Sequence, residues 1–406
     1  MSENTVDVTQ PLELPCGVTI RNRIYKSALT EGLADLHNRA TEQHANLYGL
    51  WSRGGFGIVT TGNVQVDRRY LERSGNVAID DNGGLDELAR FAEAGTAGGT
   101  HLWMQIGHAG RQVTRLTNPE PVGPSAVAMQ HEALQRAFGT PRALSEEEIL
   151  NVIHRFTQVA ATAKSAGFTG VQLHSAHGYL LSSFLSPRFN RRDDRWGGTL
   201  ENRARLLLET FRAVRRTVGP DFPVGIKLNS SDFQKDGYTD DDALQVIEWL
   251  NGEGVDLLEL SGGNYESRAF AHRSESTRAR EAYFLEFAER AAGTARMPVA
   301  VTGGFRSRPK MDAALRAGAC QMIGLGRPAI TEPDSGLKLC ADPETALDLW
   351  EERLEPAGAA GHWYFMQFYR MGRGEGLDRE LDPAEASAAY MKIEADTAAA
   401  LKGRSL

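Results

Sequence analysis

Cysteine is scarce in this chain. Three occur in 406 residues, Cys16, Cys320 and Cys340, and they lie far apart. They form no Cys-x-x-Cys unit, no metal-ligand spacing and no disulfide framework. Free thiols in a reducing compartment are the expectation. Long apolar runs are also missing. The first ten residues are polar and acidic, so neither a signal peptide nor a membrane span is expected, and the chain reads as cytoplasmic with no membrane partner. Basic charge is not in excess: 45 Lys and Arg stand against 53 Asp and Glu, a formal charge of −8. That argues against a nucleic-acid partner. No Gly-x-Gly-x-x-Gly follows a strand pattern, so no Rossmann dinucleotide unit is indicated. Internal repeats and low-complexity segments are absent as well.

What the chain does have is alternation. Short apolar runs at 24–29, 56–60, 101–106, 170–173, 224–228, 257–260, 299–302 and 321–324 predict strands. Amphipathic patterns near 41–53, 85–97, 146–166, 199–217, 239–251, 282–292 and 309–317 predict helices. Ser145 with Glu148, and more weakly Thr239 with Asp242, carry capping-box chemistry at two helix starts. This alternation implies a parallel sheet, and eight strands imply an α/β fold of one (β/α)8 barrel. Polar or glycine residues sit at or just past the end of every strand: Thr30, Asn63, Gln105, His174, Lys227, Ser261, Gly303 and Gly326. A barrel gathers those ends around one mouth, whereas a doubly wound sheet uses only a few near its switch point. Long loops are expected after strand 3 (107–144) and strand 6 (262–281). The barrel is expected over 1–340. A helical extension over 341–406, containing Trp350, Trp363, Tyr364 and Phe365, is expected to pack on the barrel or on a neighbouring subunit.

The most informative stretch begins where the fourth strand ends. His174 and His177 stand three apart, with Tyr179 two residues on. Two hydrogen-bond donors and a weak acid at one strand end can hold a carbonyl oxygen and pass a proton to a neighbouring carbon. Two histidines at this spacing also suit a metal, but a catalytic zinc site needs a third ligand and no partner motif is present. An anion site is expected at the glycine-rich ends of the seventh and eighth strands, Thr302-Gly303-Gly304 and Gly324-Leu325-Gly326-Arg327. There backbone N–H groups can approach a phosphate closely.

The run from His174 to Arg203 resembles the signature of the old yellow enzyme family, the FMN-dependent NADH:flavin oxidoreductases and ene-reductases. The first-strand run Asn22–Thr30, the third-strand run Met104–Gln112, the fifth-strand run Val224–Asn229 and the two glycine-rich ends resemble it too, so the likeness covers roughly residues 10–340. It implies FMN as cofactor and NADPH or NADH as reductant. The implied FMN set is Ala28, Leu29 and Thr30 on the first strand, Gly62 or Asn63 through the backbone, Gln105 on the pyrimidine edge and Lys227 against N1. Gly303, Gly304, Gly326 and Arg327 would hold the phosphate. An amide suits the pyrimidine edge because it both donates and accepts. A fixed cation near N1 favours the reduced, anionic ring, an effect typically worth on the order of 3 kcal/mol.

The resemblance further implies that His174 and His177 grip the oxygen of an electron-poor alkene and that Tyr179 protonates its α-carbon, in a ping-pong cycle with hydride passing through flavin N5. Enones, enals, maleimides and nitroalkenes are the implied acceptors. A quinone or oxygen reductase on the same flavin, a flavin-binding sensor and a metal-dependent barrel hydrolase are the rival readings. Relatives with an iron–sulfur cluster need a cysteine cluster beyond the eighth strand, and only Cys340 is there, so no such cluster is expected. The sequence departs from the family pattern at Ala28, where many members have proline, and at Glu31-Gly32-Leu33, where some have an aromatic. The second departure is expected to alter one wall of the substrate pocket. Arg370, in the tail, is a candidate to reach across the interface of a homo-oligomer; a tail packed on its own barrel is the other reading.

Overall fold

A computed structural model describes residues 6–267, 284–356 and 359–402. Eight parallel strands close into a barrel: β1 Ile24–Lys26, β2 Ile58–Thr60, β3 His101–Gly107, β4 Gly170–Ser175, β5 Val224–Asn229, β6 Leu257–Ser261, β7 Val299–Thr302 and β8 Met322–Leu325. Each pairs with the next, and β8 pairs back with β1 through Ile323 and Ile24. Among the described helices, one of the following lies between each pair of consecutive strands: α1 Glu42–Ser52, α2 Leu85–Thr96, α3 Glu146–Ser165, α4 Leu200–Val218, α5 Asp240–Leu250, α6 Leu285–Ala292 and α7 Arg308–Arg316. All match the sequence expectation within a few residues. The Ser145 and Thr239 capping boxes are both formed, Ser145 Oγ accepting the Glu148 N–H and Thr239 Oγ1 that of Asp242.

The barrel interior divides along its axis. Tyr25, Ile58, Trp103, Leu257, Ala300 and Met322 form an apolar floor at the strands' starts. A small antiparallel hairpin, Leu12–Glu13 with Thr19–Ile20, seals that floor with Leu12, Leu14 and Ile20. Its two-residue strands are too short to show a period in sequence. Above the floor, Gln105, Gln172, Lys227, Glu259 and Thr302 turn polar groups toward one another, so the opposite end is where chemistry can be done.

The loop after β3 is not structureless. Val122–Gly123 pairs with Arg142–Ala143, and Glu132–Ala137 is helical. Most of the expected 262–281 loop lies outside the described residues. The tail forms two helices, α8 Ala360–Gly372 and α9 Pro383–Lys402. They pack on their own barrel: Phe368 meets Trp51 edge-on at 5.9 Å, Tyr369 donates to the Gly32 carbonyl (2.8 Å), and Glu394 accepts the Ser74 N–H. Arg370 meets Glu375 (3.4 Å) and Asp378 (3.9 Å) of its own chain.

Candidate active site

At the C-terminal end of the barrel, a cavity of about 90 Å³ is lined by Ala28, Thr30, Asn63, Gln105, His174, His177, Tyr179 and Lys227. Five strand ends thus converge on one space, and every lining residue belongs to the set expected from sequence. Leu29, Gly62, Gly303, Gly304, Gly326 and Arg327 are not in its lining.

His174, the next-to-last residue of β4, faces the cavity. Its Nδ1 accepts the Ala176 N–H at 3.2 Å, which places the ring hydrogen on Nε2. His177 sits in the left-handed region, φ +62°, followed by Gly178 at φ +81°. A non-glycine residue there stores about 1 kcal/mol or more, a cost met most often at functional sites. The turn is held because the His177 N–H donates to Asn229 Oδ1 (3.0 Å) and its Nε2 meets Ser261 Oγ (2.7 Å). The rings of His174 and His177 stand edge-on at 5.2 Å, and Tyr179 lies 4.7 Å from His174. Burial, then His177 and Lys227, push His174 well below the usual histidine range. Burial and Lys227 push His177 down to about 3. Both imidazoles are therefore neutral at pH 7, hydrogen-bond donors that carry no charge of their own. Burial likewise drives the Tyr179 hydroxyl well above its ordinary value, so it keeps its proton.

Lys227 does not stand alone. Its ammonium lies 3.0 Å from Glu259 Oε1 and donates to Ser27 Oγ. Glu259 is fully buried inside the barrel and also accepts from Thr302, Gln172 and Tyr25. Burial pushes its carboxyl up, but Lys227 and the hydrogen bonds of Ser27 and Thr302 outweigh that and hold it below the usual range. Gln105 gives one amide hydrogen to Gln172 (2.7 Å). Glu259 was not foreseen. The signal was one acid in the apolar run Leu257-Leu258-Glu259-Leu260.

One expectation changes. Glu31, expected as pocket wall, does not line the cavity. Its carboxyl is held by the Gly62 N–H (2.9 Å) and the Tyr48 hydroxyl, on buried ground beside Lys26. That same contact occupies the Gly62 N–H, and a Cβ at Gly62 would fall 2.1 Å from Glu31 Oε2. Arg327, expected at the phosphate, stands 3.4 Å from Glu351, which also binds Arg306. Gly303 and Gly304 have φ +131° and +98°, a backbone that favours glycine, and among the described residues a Cβ at Gly326 would have only Leu29 nearby, at 3.8 Å.

The donor set fits a flavin ring. Lys227 offers a cation, Gln105 an amide and Asn63 a buried Oδ1 without a partner, all on the same cavity. Among the described residues, no group of three or more His, Cys, Asp or Glu is placed to hold a metal. Likewise, no helix there is long and apolar enough to cross a membrane.

A family model for the NADH:flavin oxidoreductase / NADH oxidase family matches residues 7–342. The chain belongs to this family. It is a flavin-dependent, NADH-linked oxidoreductase of the old yellow enzyme type. It is 36% identical over 346 residues to an NADH-dependent flavin oxidoreductase of Hypocrea jecorina, covering 80% of this chain and 86% of that one. A namesake in Talaromyces variabilis is 34% identical over 386 residues, covering 89% and 92%. Against an NADH oxidase of Thermoanaerobacter brockii, 33% identical, the match takes 78% of this chain but 48% of that one, so the chain spans about half the length of such relatives. Among solved structures, the old yellow enzyme homologue of Zymomonas mobilis superposes with a TM-score of 0.71 at 22% identity, covering 85% of this chain and 95% of that one. Morphinone reductase in complex with tetrahydroNAD gives 0.67 at 25%, covering 83% and 92%. The family's barrel and the one built here from Ile24 to Leu325 are the same fold.

Proposed function

We propose that this protein is an FMN-dependent NAD(P)H oxidoreductase that reduces electron-poor carbon–carbon double bonds, and that it works without an iron–sulfur cluster. The observation that carries the reading is the shared cavity, which joins a proton donor, two neutral imidazoles and a cation to the amides of Gln105 and Asn63. When bound, the flavin supplies hydride exchange between the nicotinamide and the substrate's β-carbon. Lys227, Gln105, Thr30 and Asn63 hold its ring, and the glycine-rich ends of β7 and β8 with Arg327 hold its phosphate.

His174 Nε2–H and the His177 ring bind the carbonyl or nitro oxygen. Charge grows on that oxygen as the double bond is reduced, so donors already aimed at it stabilise the transition state more than the ground state. Tyr179, kept protonated by its surroundings, delivers the proton to the α-carbon. A visible spectrum of the purified protein, bleached by NADH and restored by an enone without oxygen, tests the reading. A protein without flavin bands would overturn it. The likeness to an NADH oxidase favours a second reading, reduction of quinones or oxygen, and faster anaerobic turnover with a quinone than with an enone would select it.

A further inference from the structure

Two residues that no motif singled out meet at Tyr179. Glu72 comes from the loop after β2 and Tyr265 from the loop after β6. The Tyr179 hydroxyl lies 2.9 Å from that of Tyr265, which donates to Glu72 Oε1 at 2.9 Å. The other carboxylate oxygen, Oε2, accepts the Thr30 hydroxyl (2.9 Å) and the Asn63 amide (3.1 Å). Glu72 is 4% exposed and Tyr179 5%, while Tyr265 keeps 37% of its surface in solvent. The other charged or titratable groups facing Glu72 are Arg73, whose Nε is 3.6 Å from Oε1, together with Glu31, Tyr390 and Glu394.

The geometry points to a proton relay, Glu72 to Tyr265 to Tyr179, in which the protonation state of Glu72 sets the direction of the hydrogen bonds. It rests on the reading of Tyr179 as proton donor. An ionised carboxylate only accepts. With Glu72 ionised, Tyr265 gives its hydrogen to Oε1, its oxygen takes that of Tyr179, and the Tyr179 proton is turned away from the substrate. With a proton on Oε1 the chain runs the other way: Glu72 donates to Tyr265, Tyr265 to Tyr179, and the Tyr179 hydrogen is turned into the cavity. Oε2 keeps its two donors in both states, so the carboxyl need not move.

In the transfer the Tyr179 O–H breaks and a C–H forms at the α-carbon. The Tyr265 proton passes to the Tyr179 oxygen and that of Glu72 to Tyr265. Solvent returns one proton to Glu72 before the next turnover. The relay carries one proton per turnover and no electrons; both electrons come, as hydride, from the reduced nicotinamide. Tyr265 and Glu72 act through Tyr179 and are positioning residues.

Stopped-flow measurement of the two half-reactions against pH tests the relay. In the wild type the alkene step is expected to fall tenfold per pH unit above the relay's apparent pKa. In Glu72→Gln that dependence is expected to vanish, and in Tyr265→Phe the step is expected to be at least tenfold slower with no such dependence. Flavin reduction by NADH keeps one pH profile in all three. Independently of turnover, 13C NMR of protein labelled at tyrosine Cζ should show Tyr179 and Tyr265 shifting together with pH in the wild type and neither shifting in Glu72→Gln. Should that variant not fold, loss of the Tyr179 shift in Tyr265→Phe gives the same answer. A wild-type pH profile in Glu72→Gln, with the alkene step lost in Tyr179→Phe, would overturn the relay and leave the donor reading standing. An unslowed Tyr179→Phe would overturn the donor reading itself.

Discussion

Lys227 and Glu259 are the residues whose charges decide what the cavity does to a flavin. In the proposed flavin site the lysine would favour the reduced ring near N1, and the acid 3.0 Å away would oppose it. Lys227→Met is expected to lower the two-electron potential of the bound flavin by about 60 mV, the equivalent of roughly 3 kcal/mol. Glu259→Gln removes the opposing charge and is expected to raise the potential. Redox titration of both variants checks the signs, and shifts in the same direction would contradict the pairing. At this scale the sequence was legible wherever a chemically costly residue interrupted an apolar run. Lys227 in Val224–Asn229 stood out for that reason, and so did His174 after Gly170–Leu173. Glu259 gave the same signal but lacked a motif to attach to. Glu72 and Tyr265 gave none, because on loops no periodicity tells an inward residue from an outward one.

Among the elements, the turn leaving β4 is the one the site depends on. Asn229 at the end of β5 takes the N–H of His177 in its left-handed backbone, and the Asn229 amide in turn donates to the Gly263 carbonyl (2.9 Å). One buried side chain therefore ties the ends of β4, β5 and β6. Asn229→Ala is expected to cost about 2 kcal/mol of stability, read as a lower urea midpoint, since it leaves the half-buried His177 N–H and the buried Gly263 carbonyl without this partner. It should also raise KM for an enone while flavin reduction by NADH stays near the wild-type rate. Equal weakening of both half-reactions would show that the turn supports the flavin rather than the acceptor. The rest of the signature beyond Tyr179 is scaffold: Asn190 donates to the Phe184 and Trp196 carbonyls, Arg203 to Leu185, and Ser186 to Asp232. The elements of the barrel were legible because each carries its own period. The Leu12–Ile20 hairpin and the pairing inside 107–144 were not, since two-residue strands have no period to read.

Over the whole molecule, buried histidine sets the response to acid. Burial lowers His44 and His108 to about 4 and His177 to about 3, and holds His174 lower than its ordinary value too. In the unfolded chain each binds a proton below about pH 6.5; in the folded protein each stays neutral until far lower. Their contribution to stability is therefore complete above pH 6.5 and is lost as pH falls below it, at up to about 1.4 kcal/mol per unit for each histidine. Glu31 and Asp232, whose pKa values burial raises, work in the opposite direction and reduce the slope. Urea midpoints of the flavin-free protein should fall from pH 7 to pH 5; a flat or rising midpoint would mean these rings charge inside the fold. The closed barrel itself followed from the count of strands and from polar groups at one end of all of them. How the tail packs did not, because α8 and α9 bury aromatic side chains against a surface that only the finished fold provides.

The most direct test is transient kinetics on Tyr179→Phe, with NADH and then an enone mixed anaerobically with the flavin-loaded protein. Flavin reduction at close to the wild-type rate, followed by reoxidation slowed at least a hundredfold, on the order expected for removing a general acid, is the predicted result. Reoxidation by the enone at the wild-type rate would contradict it.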